Sequence, residues 1–361
     1  MIPHNRPTLS TLDSEVIAKV IVSGYIAQGQ QVVAFERTMA DYVGLKYGCA
    51  LSSGTSSLFV ALKVAGVGRG DKVIIPTYVC SALLNAIYMA GATPILLDVD
   101  RNNYNIVWNQ VIATIDEQTK AIIVPHIHGV PTYIDKSSLP QGVTLIEDCA
   151  TAVNSYVSYN GEKKHVGNIG DMAVFSFYAT KYFTTGQGGM VCTNDETLYH
   201  KLIDYRDFDC CEQYEPRFNF QMTDMQAAMG LAQMERLAEY DAKRKQIAST
   251  YKELCKSKGW RYQDCERQEG AKCALFANDY RFIVELENKK NRDLLMEKLE
   301  INGIRTIVPI ERYELLHNYL HLNPAKFVNA ERIVDVTLSL PIYPSLTDME
   351  LEQITTILKN F

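Results

Sequence analysis

Short apolar runs recur along the first half of the chain, each bounded by polar or turn-forming residues. Runs of this length are typical of buried strands. They predict seven strands, at residues 47–51, 73–75, 94–99, 121–125, 143–146, 172–177 and 189–193. Between most of them lies enough chain for a helix, as at residues 55–65 and 81–90. Continuous apolar strands that alternate with helices indicate a mainly parallel sheet covered on both faces.

Helical periodicity flanks this region on both sides. Before it, apolar residues at helical spacing predict helices at residues 11–23 and 31–42. After it, Thr223 and Gln226 fit a capping box, and the helical pattern that the box opens continues to Lys258. The remainder of the chain predicts a strand at 280–286, a helix that ends at Gly303, a strand at 304–308 and a final helix that opens at Thr347.

These elements predict an α/β fold with two domains. Residues 1–240 would form a large domain, in which the mainly parallel seven-stranded sheet lies between helices. Residues 241–361 would form a smaller α+β C-terminal domain. A chain of 361 residues, 47% of them hydrophobic, is long enough for both.

Charge and hydropathy narrow the range of partners. The net charge is −6 and the pI ≈ 5.7, and the chain has no cluster of basic residues interleaved with aromatics, so we expect no nucleic-acid partner. No apolar run approaches the roughly 20 residues that span a bilayer. Residues 1–7 lack a basic segment followed by an apolar one. We therefore expect a cytoplasmic protein without membrane contact.

The cysteines and histidines do not predict a metal site. Most of the nine cysteines lie in apolar stretches without C-x-x-C spacing, as expected for reduced, buried thiols, and the adjacent pair at residues 210–211 is not expected to bind metal. His126 and His128 alternate on a predicted strand, and His317 and His321 are spaced for one helix face. Neither pair has the glutamate or third ligand of a zinc site.

A single lysine follows the strand predicted at residues 172–177 and precedes a glycine-rich stretch. Lys181 has hydroxyl-bearing neighbours, and no acid in the segment can hold it as a salt-bridged ammonium. If burial lowers its pKa, such an amine can form a Schiff base. The alternative is an ordinary solvated loop lysine.

Two other predicted strands are also followed by polar groups that suit a binding site. In such sheets, binding sites lie beyond the carboxyl ends of the strands. Gly54, Thr55 and Ser56 stand between a strand and a helix, where backbone N–H groups and hydroxyls suit a phosphate. An ordinary helix cap is the alternative. Asp148 ends an apolar strand, either as a cap for a following helix or as a buried counter-ion for a protonated ring nitrogen.

A phosphate cradle, a strand-end aspartate and a strand-end lysine are the groups that pyridoxal 5'-phosphate requires. On these residues the chain resembles the DegT/StrS-type sugar aminotransferases, which are fold-type I pyridoxal-phosphate enzymes. The resemblance covers nearly the whole chain. The matching positions are Gly29, 35–36, 70–76, 85–87, Gly129, Pro131, 147–150, 181–189, Asn219 and 226–228.

The resemblance implies roles for the residues around the cofactor ring. Lys181 matches the lysine that binds the cofactor covalently and, once freed by the amino donor, moves a proton between substrate carbon and cofactor carbon. Asp148 matches the acid that keeps the pyridine nitrogen protonated. Ala150 matches the small residue packed under the ring.

The resemblance also implies a phosphate site shared between two subunits. Gly54, Thr55 and Ser176 match the phosphate binders. Asn219 resembles the asparagine that reaches the phosphate of the neighbouring subunit's cofactor, which implies a homodimer with shared active sites.

Three positions depart from the family pattern. Cys80 stands where an aromatic residue usually stacks on the ring, and Tyr78 is the nearest aromatic. Thr151 stands where the family usually has glutamine or histidine near the ring hydroxyl, and Gln221 where arginine is common. Residues 78, 80 and 151 are still predicted to line the cofactor site, but the substrate class is left open.

The leading functional hypothesis is transfer of an amino group, from L-glutamate, to a keto sugar carried on a nucleotide. A second hypothesis keeps the cofactor but places a keto-cyclitol or a small phosphorylated ketone in the site, or replaces transamination by dehydration. Lys181 argues against dehydration, because the family's sugar dehydratases lack this lysine. A third hypothesis is a cofactor-binding regulatory protein without turnover. Substrate selection is expected in the loops near Tyr25 and residues 313–317.

Overall fold

The computed structural model of the chain describes residues 1–159, 161–209, 214–265 and 273–361. The strands are β1 Tyr47–Leu51, β2 Lys72–Pro76, β3 Thr93–Leu97, β4 Thr119–Pro125, β5 Thr144–Asp148, β6 Tyr156–Tyr159, β7 Glu162–His165, β8 Met172–Ser176, β9 Gly189–Thr193, β10 Arg261–Tyr262, β11 Ala274–Phe276, β12 Phe282–Glu285 and β13 Thr337–Leu340.

The α-helices are α1 Thr11–Ser23, α2 Gln30–Val43, α3 Gly54–Val64, α4 Ala82–Ala90, α5 Trp108–Thr114, α6 Glu196–Arg206, α7 Asp224–Met234, α8 Leu237–Lys258, α9 Lys289–Ile301, α10 Leu316–Tyr319, α11 Val328–Val336 and α12 Asp348–Lys359. Short 3-10 helices lie at Ile127–Gly129, Lys136–Ser138, Arg312–Glu314 and Pro324–Lys326.

The seven predicted strands form one sheet in the order β1-β9-β8-β5-β4-β2-β3. The strands from β3 to β8 in this order are parallel, whereas β9 runs antiparallel to both of its neighbours. The prediction of a mainly parallel seven-stranded sheet is confirmed. Because β1 and β8 both run opposite to β9, they share a direction, and the carboxyl ends of β1, β5 and β8 lie at one edge.

Apolar layers cover both faces of this sheet, which explains why its strands are continuously hydrophobic. In β8, Val174 belongs to the layer built with α3 and α4, and the next residue, Phe175, belongs to the layer built with α2 and α7. In β2, Ile75 and Ile74 divide in the same way between the α3 and α4 layer and a third cluster around Trp108. Successive side chains of a strand therefore enter different cores.

The C-terminal part has its own core, in which α8, α9 and α12 pack on the sheet β10-β12-β13. The strand predicted at residues 280–286 is confirmed as β12. The final helix is confirmed as α12, and its N-cap Thr347 accepts a hydrogen bond from the N–H of Glu350. A third sheet, β11-β6-β7, was not predicted.

The strand predicted at residues 304–308 is wrong. Ile304 pairs with Ile2, and Ile307 pairs with Ser339, each as an isolated bridge. Because these two positions face different partner segments, neither pairing extends into a ladder. The Ile2 pairing also places the N-terminal end of the chain in the C-terminal core.

The helical pattern from Thr223 to Lys258 forms two helices. The capping box is confirmed, because Thr223 and Gln226 exchange side-chain and backbone hydrogen bonds at the start of α7. Arg236 leaves helical geometry, and α8 then runs to Gly259, which adopts a φ of 67°. α7 packs on α1 and α2, whereas α8 packs on α12. The predicted domain division at residue 240 falls within α8 and stays a prediction.

None of the helices in the described ranges combines the length and the apolar character needed to cross a membrane.

Candidate active site

The ends of three strands bring the predicted site residues to one edge of the large sheet. Asp148 ends β5 and Ser176 ends β8. Gly189 of β9 pairs with both Ser176 and Leu51, so the segment after β1 lies close to the end of β8. Residues far apart in sequence thus meet at the edge where binding sites form in such sheets.

The segment after β1 is a helix start with the geometry of an anion cradle. Ser53 caps α3 by accepting the N–H of Ser56 at 3.0 Å. A Cβ on Gly54 would lie 2.8 Å from the Cβ of Ser176, so the contact between the two requires a glycine. The first N–H groups of a helix have no intrahelical partner, and here those of Gly54 and Thr55 lie at the positive end of α3 beside Ser176.

The hydroxyl of Ser56 is engaged within the cap itself. Its Oγ accepts the N–H of Ser53 at 2.9 Å and donates to the carbonyl of Ser53 at 2.8 Å. Ser56 therefore shapes the helix start. Its predicted direct contact with a cofactor stays a prediction.

Asp148 is buried, with 7% of its surface exposed, and one oxygen accepts the N–H of Ala150 at 3.0 Å. Burial raises the pKa of Asp148, and the Ala150 N–H and the charge of Lys181 oppose this rise. Residues 149–155 form turns and no helix, so Asp148 does not cap a following helix. A cation beside the carboxyl would favour its ionised form, as expected of a counter-ion.

Lys181 lies on a loop that hydrogen bonds hold at both ends. The N–H of Phe177 donates to the carbonyl of Gly188 at 2.8 Å, and the N–H of Thr185 donates to the carbonyl of Phe177 at 3.0 Å. The carbonyl of Thr180 accepts a hydrogen bond from the Tyr280 hydroxyl at 3.0 Å, and another from Asn5. Side chains from the N-terminal end and from the C-terminal part of the chain therefore fix the residue next to Lys181.

The side chain of Lys181 is half-buried and forms no ion pair with any residue in the described ranges. Burial alone would raise the pKa of Tyr280, but the positive charges of Lys181 and two arginines lower it. Surrounding protein raises the pKa of the Cys80 thiol, and Lys181 opposes this rise. The lysine charge thus acts on Asp148, Cys80 and Tyr280 together.

The predicted site residues at positions 78, 80 and 151 have three different surroundings. Tyr78 is fully buried, with its ring 5.9 Å from that of Tyr104 and 6.0 Å from that of His128. Cys80 is exposed. The hydroxyl of Thr151 donates to the carbonyl of His126 at 3.0 Å. Their roles at the cofactor remain predictions.

A buried acid beside Asp148 was not predicted as part of the site. Glu147 accepts hydrogen bonds from three backbone N–H groups, those of Gly167, Ile169 and Gly170, at 2.5–2.9 Å. His126 Nδ1 accepts the N–H of Thr132, so its Nε2 donates to Glu147 at 2.9 Å. Burial opposes ionisation of Glu147, but these bonds hold its pKa below its usual range. The sequence feature that could have indicated these contacts is the Gly-x-x-Gly segment at residues 167–170, which follows β5 along the chain.

The histidine geometry differs from the predictions. β4 ends at Pro125, so His126 and His128 do not alternate on a strand, and His128 adopts a φ of 58°. His317 lies on α10, but His321 lies past its end with a φ of 52°, so the two do not share a helix face. The described residues contain no group of three His, Cys, Asp or Glu side chains that could hold a metal ion. Residues 210–211 lie outside the described ranges.

Asn219 lies alongside the end of β1. The N–H of Ser52 donates to the carbonyl of Phe220 at 2.7 Å, and the Asn219 side chain accepts the N–H of Gln221 at 3.1 Å. Asn219 is exposed, so its side chain is accessible to a second subunit. Its predicted contact across a dimer stays a prediction.

This set of groups fits pyridoxal 5'-phosphate. The contact between Gly54 and Ser176 leaves a helix start facing a serine, which suits the phosphate. Asp148 is a buried acid with few hydrogen-bond partners, which suits a protonated ring nitrogen. Lys181 supplies the amine.

A family model of the DegT/DnrJ/EryC1/StrS aminotransferase family matches residues 7–359. The chain belongs to this family. The resemblance found in the sequence is confirmed, and the protein is a pyridoxal-phosphate-dependent aminotransferase.

This DegT/StrS aminotransferase has relatives of similar length. It is 32% identical to the GDP-perosamine synthase of Caulobacter vibrioides, over 98% of this chain and 96% of the relative. It is 29% identical to the spore coat polysaccharide biosynthesis protein SpsC of Bacillus subtilis, over 99% of this chain and 96% of the relative.

Solved structures agree with the fold of this DegT/StrS aminotransferase. The aminotransferase TlmJ of Streptoalloteichus hindustanus has a TM-score of 0.87 at 28% identity, over 100% of this chain and 98% of that one. The putative sugar aminotransferase Spr1654 of Streptococcus pneumoniae, in its PMP-form, has a TM-score of 0.89 at 23% identity, over 100% and 98% of the two chains.

Proposed function

We propose that this enzyme transfers an amino group from L-glutamate to the ketone of a nucleotide-linked sugar. The observation that carries the proposal is the meeting of Lys181, Asp148 and the start of α3 at one edge of the sheet, in a chain 32% identical to a GDP-perosamine synthase. The name of that relative supports a sugar acceptor joined to a nucleotide. We also propose that the enzyme works in the cytoplasm.

Pyridoxal phosphate, when bound, would supply an aldehyde carbon that accepts the amino group and a ring that takes up electrons. The first N–H groups of α3 and the hydroxyl of Ser176 would hold its phosphate. Asp148 would balance the positive charge of its ring nitrogen. Lys181 would anchor it through the side-chain amine and, as a free amine, would move a proton at the substrate carbon.

The residues around Lys181 position its amine. Tyr280 and Asn5 bind the carbonyl of Thr180 from two sides, so the backbone next to the lysine is fixed before substrate enters. A fixed amine reaches donor and acceptor carbons in the same place, as both halves of a transamination require.

The substrate is tested in two half-reactions followed by absorbance. Enzyme loaded with pyridoxal phosphate is first mixed with L-glutamate, L-alanine or L-aspartate. The aminated enzyme is then mixed with nucleotide-linked keto sugars, the same sugars without nucleotide, a keto-cyclitol and a small phosphorylated ketone. We expect the fastest first step with L-glutamate and the fastest second step with a nucleotide-linked sugar. Faster reaction with the cyclitol or the small ketone would refute the proposed acceptor.

We further propose a homodimer in which Asn219 of one chain and Lys181 of the other serve the same cofactor. The exposed position of Asn219 beside β1 supports this arrangement. Inactive Lys181→Ala protein is unfolded and refolded together with Asn219→Asp protein, whose carboxylate would repel the phosphate. If the site is shared, each mixed dimer has one site without either lesion, and activity returns in part. If mixed dimers form without activity, Asn219 does not belong to the site.

A further inference from the structure

Residues 278–280 form a short segment of the C-terminal part that reaches the edge of the large sheet. The segment connects β11 with β12. Its first and last residues are buried, since Asn278 is 0% exposed and Tyr280 is 3% exposed. A buried amide and a buried phenol need hydrogen-bond partners. These two residues find theirs in the segments that follow β5 and β8.

The side chain of Asn278 binds the segment that follows Asp148. Its Nδ2 donates to the carbonyls of Thr151 and Val153, at 3.0 and 3.1 Å. A Cβ on Gly129 would lie 1.9 Å from Oδ1 of Asn278, so the asparagine fits only against a glycine. The residues after Asp148 are therefore held by a side chain from the C-terminal part.

Asn278 also fixes Tyr280, which binds the segment that carries Lys181. Oδ1 of Asn278 accepts the N–H of Tyr280 at 2.9 Å. The Tyr280 hydroxyl donates to the carbonyl of Thr180 at 3.0 Å, and Thr180 directly precedes Lys181. One asparagine side chain thus connects the segment after Asp148 with the segment before Lys181.

Arg244 of α8 holds Tyr280 and the residue on the other side of the lysine. Arg244 is 1% exposed, and its Nη1 donates to the carbonyls of Tyr280 and Ile342, at 3.0 and 3.1 Å. Its guanidinium carbon lies 5.0 Å from the ring centre of Tyr182, which follows Lys181. Arg244, Tyr182 and Lys181 line one cavity of about 10 Å³, close to the least that one water molecule requires. The loop is therefore closely packed on this side.

We propose that Asn278 and Tyr280 are positioning residues that hold Lys181 in place relative to Asp148. This placement rests on the roles proposed above for the lysine and the aspartate. A cofactor ring held at Asp148 presents its aldehyde carbon at a fixed point, and the amine must reach that point. A small error in the position of the amine lowers the rate of reaction more than the affinity for the cofactor. Neither positioning residue needs to touch the cofactor.

The test separates binding of the cofactor from its capture by Lys181. Full-length enzyme freed of cofactor is first titrated with pyridoxamine phosphate, which has no aldehyde, and calorimetry gives its Kd. The same enzyme is then mixed with pyridoxal phosphate and quenched with borohydride after increasing times. Peptide mapping measures how fast Lys181 is tagged. The variants are Asn278→Ala, Tyr280→Phe and the double variant, with folding checked by circular dichroism.

Two other residues of the chain provide matched controls. Tyr251→Phe matches Tyr280→Phe, because Tyr251 is also buried in the C-terminal part and donates to one backbone carbonyl, at 2.8 Å. Asn168→Ala matches Asn278→Ala, because Asn168 also donates to two backbone carbonyls, at 2.6 and 3.2 Å. Both controls should lower the Tm as the test variants do, but they should capture pyridoxal phosphate at the wild-type rate.

We expect Tyr280→Phe to leave the Kd for pyridoxamine phosphate unchanged and to slow capture about 3- to 10-fold, since one hydrogen bond to the loop is lost. Asn278→Ala should slow capture about 10- to 100-fold and also weaken pyridoxamine phosphate binding, because it releases the segment after Asp148 as well. In the Asn278→Ala background, Tyr280→Phe should slow capture less than it does alone, because Asn278 holds Tyr280.

A wild-type capture rate in folded Tyr280→Phe would overturn the proposal. So would equal slowing in Tyr251→Phe, because that result belongs to a general loss of stability. Effects that simply multiply in the double variant would contradict the connection between Asn278 and Tyr280. If Asn278→Ala does not fold, the comparison of Tyr280→Phe with Tyr251→Phe decides the proposal, since each of these variants loses one hydroxyl.

Capture also separates this proposal from the proposed function, because it uses neither amino donor nor sugar. If no keto sugar reacts but capture depends on Tyr280, the acceptor assignment fails and the positioning role stands. If the sugars react and capture is independent of Tyr280, the positioning role fails alone.

Discussion

Glu147 and Asp148 are neighbours on β5, and both are buried acids. Successive residues of a strand point to opposite faces of the sheet, so the two carboxyl groups enter different surroundings. Glu147 accepts three backbone N–H groups and the His126 ring, and its pKa is lowered. Asp148 accepts one backbone N–H, and burial raises its pKa.

A structural acid and a functional acid differ in whether the protein itself satisfies the carboxylate. The hydrogen bonds of Glu147 are made within the protein, so this acid stabilises the turn at residues 167–170 against the end of β5. The partners of Asp148 are too few to offset its burial, so its carboxylate becomes favourable when a cation binds beside it. In the sequence the two residues are simply adjacent acids at a strand end, and nothing there distinguishes their roles.

Loss of Lys181 should have the largest effect on activity. Lys181→Ala removes the proposed covalent anchor and proton carrier, so we expect transamination to fall about 10³-fold or more. Borohydride reduction of the yellow wild-type enzyme should bleach it and tag Lys181 in peptide mapping. The exposed Lys201→Ala is the control. Tagging of another lysine would place the site elsewhere.

Asp148→Asn keeps the size of the side chain and removes its charge. The proposed counter-ion of the ring nitrogen is then lost, and we expect turnover to fall by about two to four orders of magnitude. The fold should be retained, as measured by circular dichroism. Turnover close to wild type would mean that another acid lies at the ring.

Glu147→Gln should act mainly on stability. An amide cannot accept all the hydrogen bonds that the carboxylate accepts, so we expect a loss of about 2–4 kcal/mol in the free energy of unfolding, measured with urea. The folded variant should still bind pyridoxal phosphate. The exposed Glu162→Gln should unfold as wild type does. Loss of cofactor binding with unchanged stability would reverse the roles of the two acids.

The pH dependence of the Glu147 effect follows from its lowered pKa. The ionised carboxylate contributes stability above the unfolded pKa of about 4.3, and this contribution is lost as the pH falls through the folded value. The stability gap between wild type and Glu147→Gln should therefore be widest near neutral pH and narrow in acid. A gap independent of pH would show that the charge of Glu147 is not what the turn requires.

The large sheet could be predicted from the sequence because each of its buried strands is a continuous apolar run, which is visible without knowing the strand's partners. The sequence also placed Gly54, Asp148 and Lys181 at strand ends, where site residues are expected. It did not predict β7, whose residues Glu162–His165 are polar and, among the described strands, pair with β6 alone. A polar strand lacks the hydrophobic pattern that identifies strands.

Contacts between distant segments explain the remaining differences. The partners of Glu147 come from His126 and from residues 167–170, about 20 positions away on either side. The residues at 304–308 were apolar enough for a strand, but their pairing depends on where Ile2 and Ser339 lie.

Whether Asp148 is held for a cofactor is decided by the free energy of unfolding of wild type and Asp148→Asn, measured with urea near pH 8, with and without pyridoxal phosphate. Because burial raises the folded pKa of Asp148, this group does not lower the stability of the fold below the unfolded pKa of about 3.9, but it lowers that stability progressively as the pH rises through the folded value. Without cofactor, Asp148→Asn should therefore be at least as stable as wild type. With cofactor, wild type should be the more stable protein, because only its aspartate compensates the ring charge. If Asp148→Asn is clearly less stable without cofactor, Asp148 is a structural acid like Glu147, and the account is contradicted.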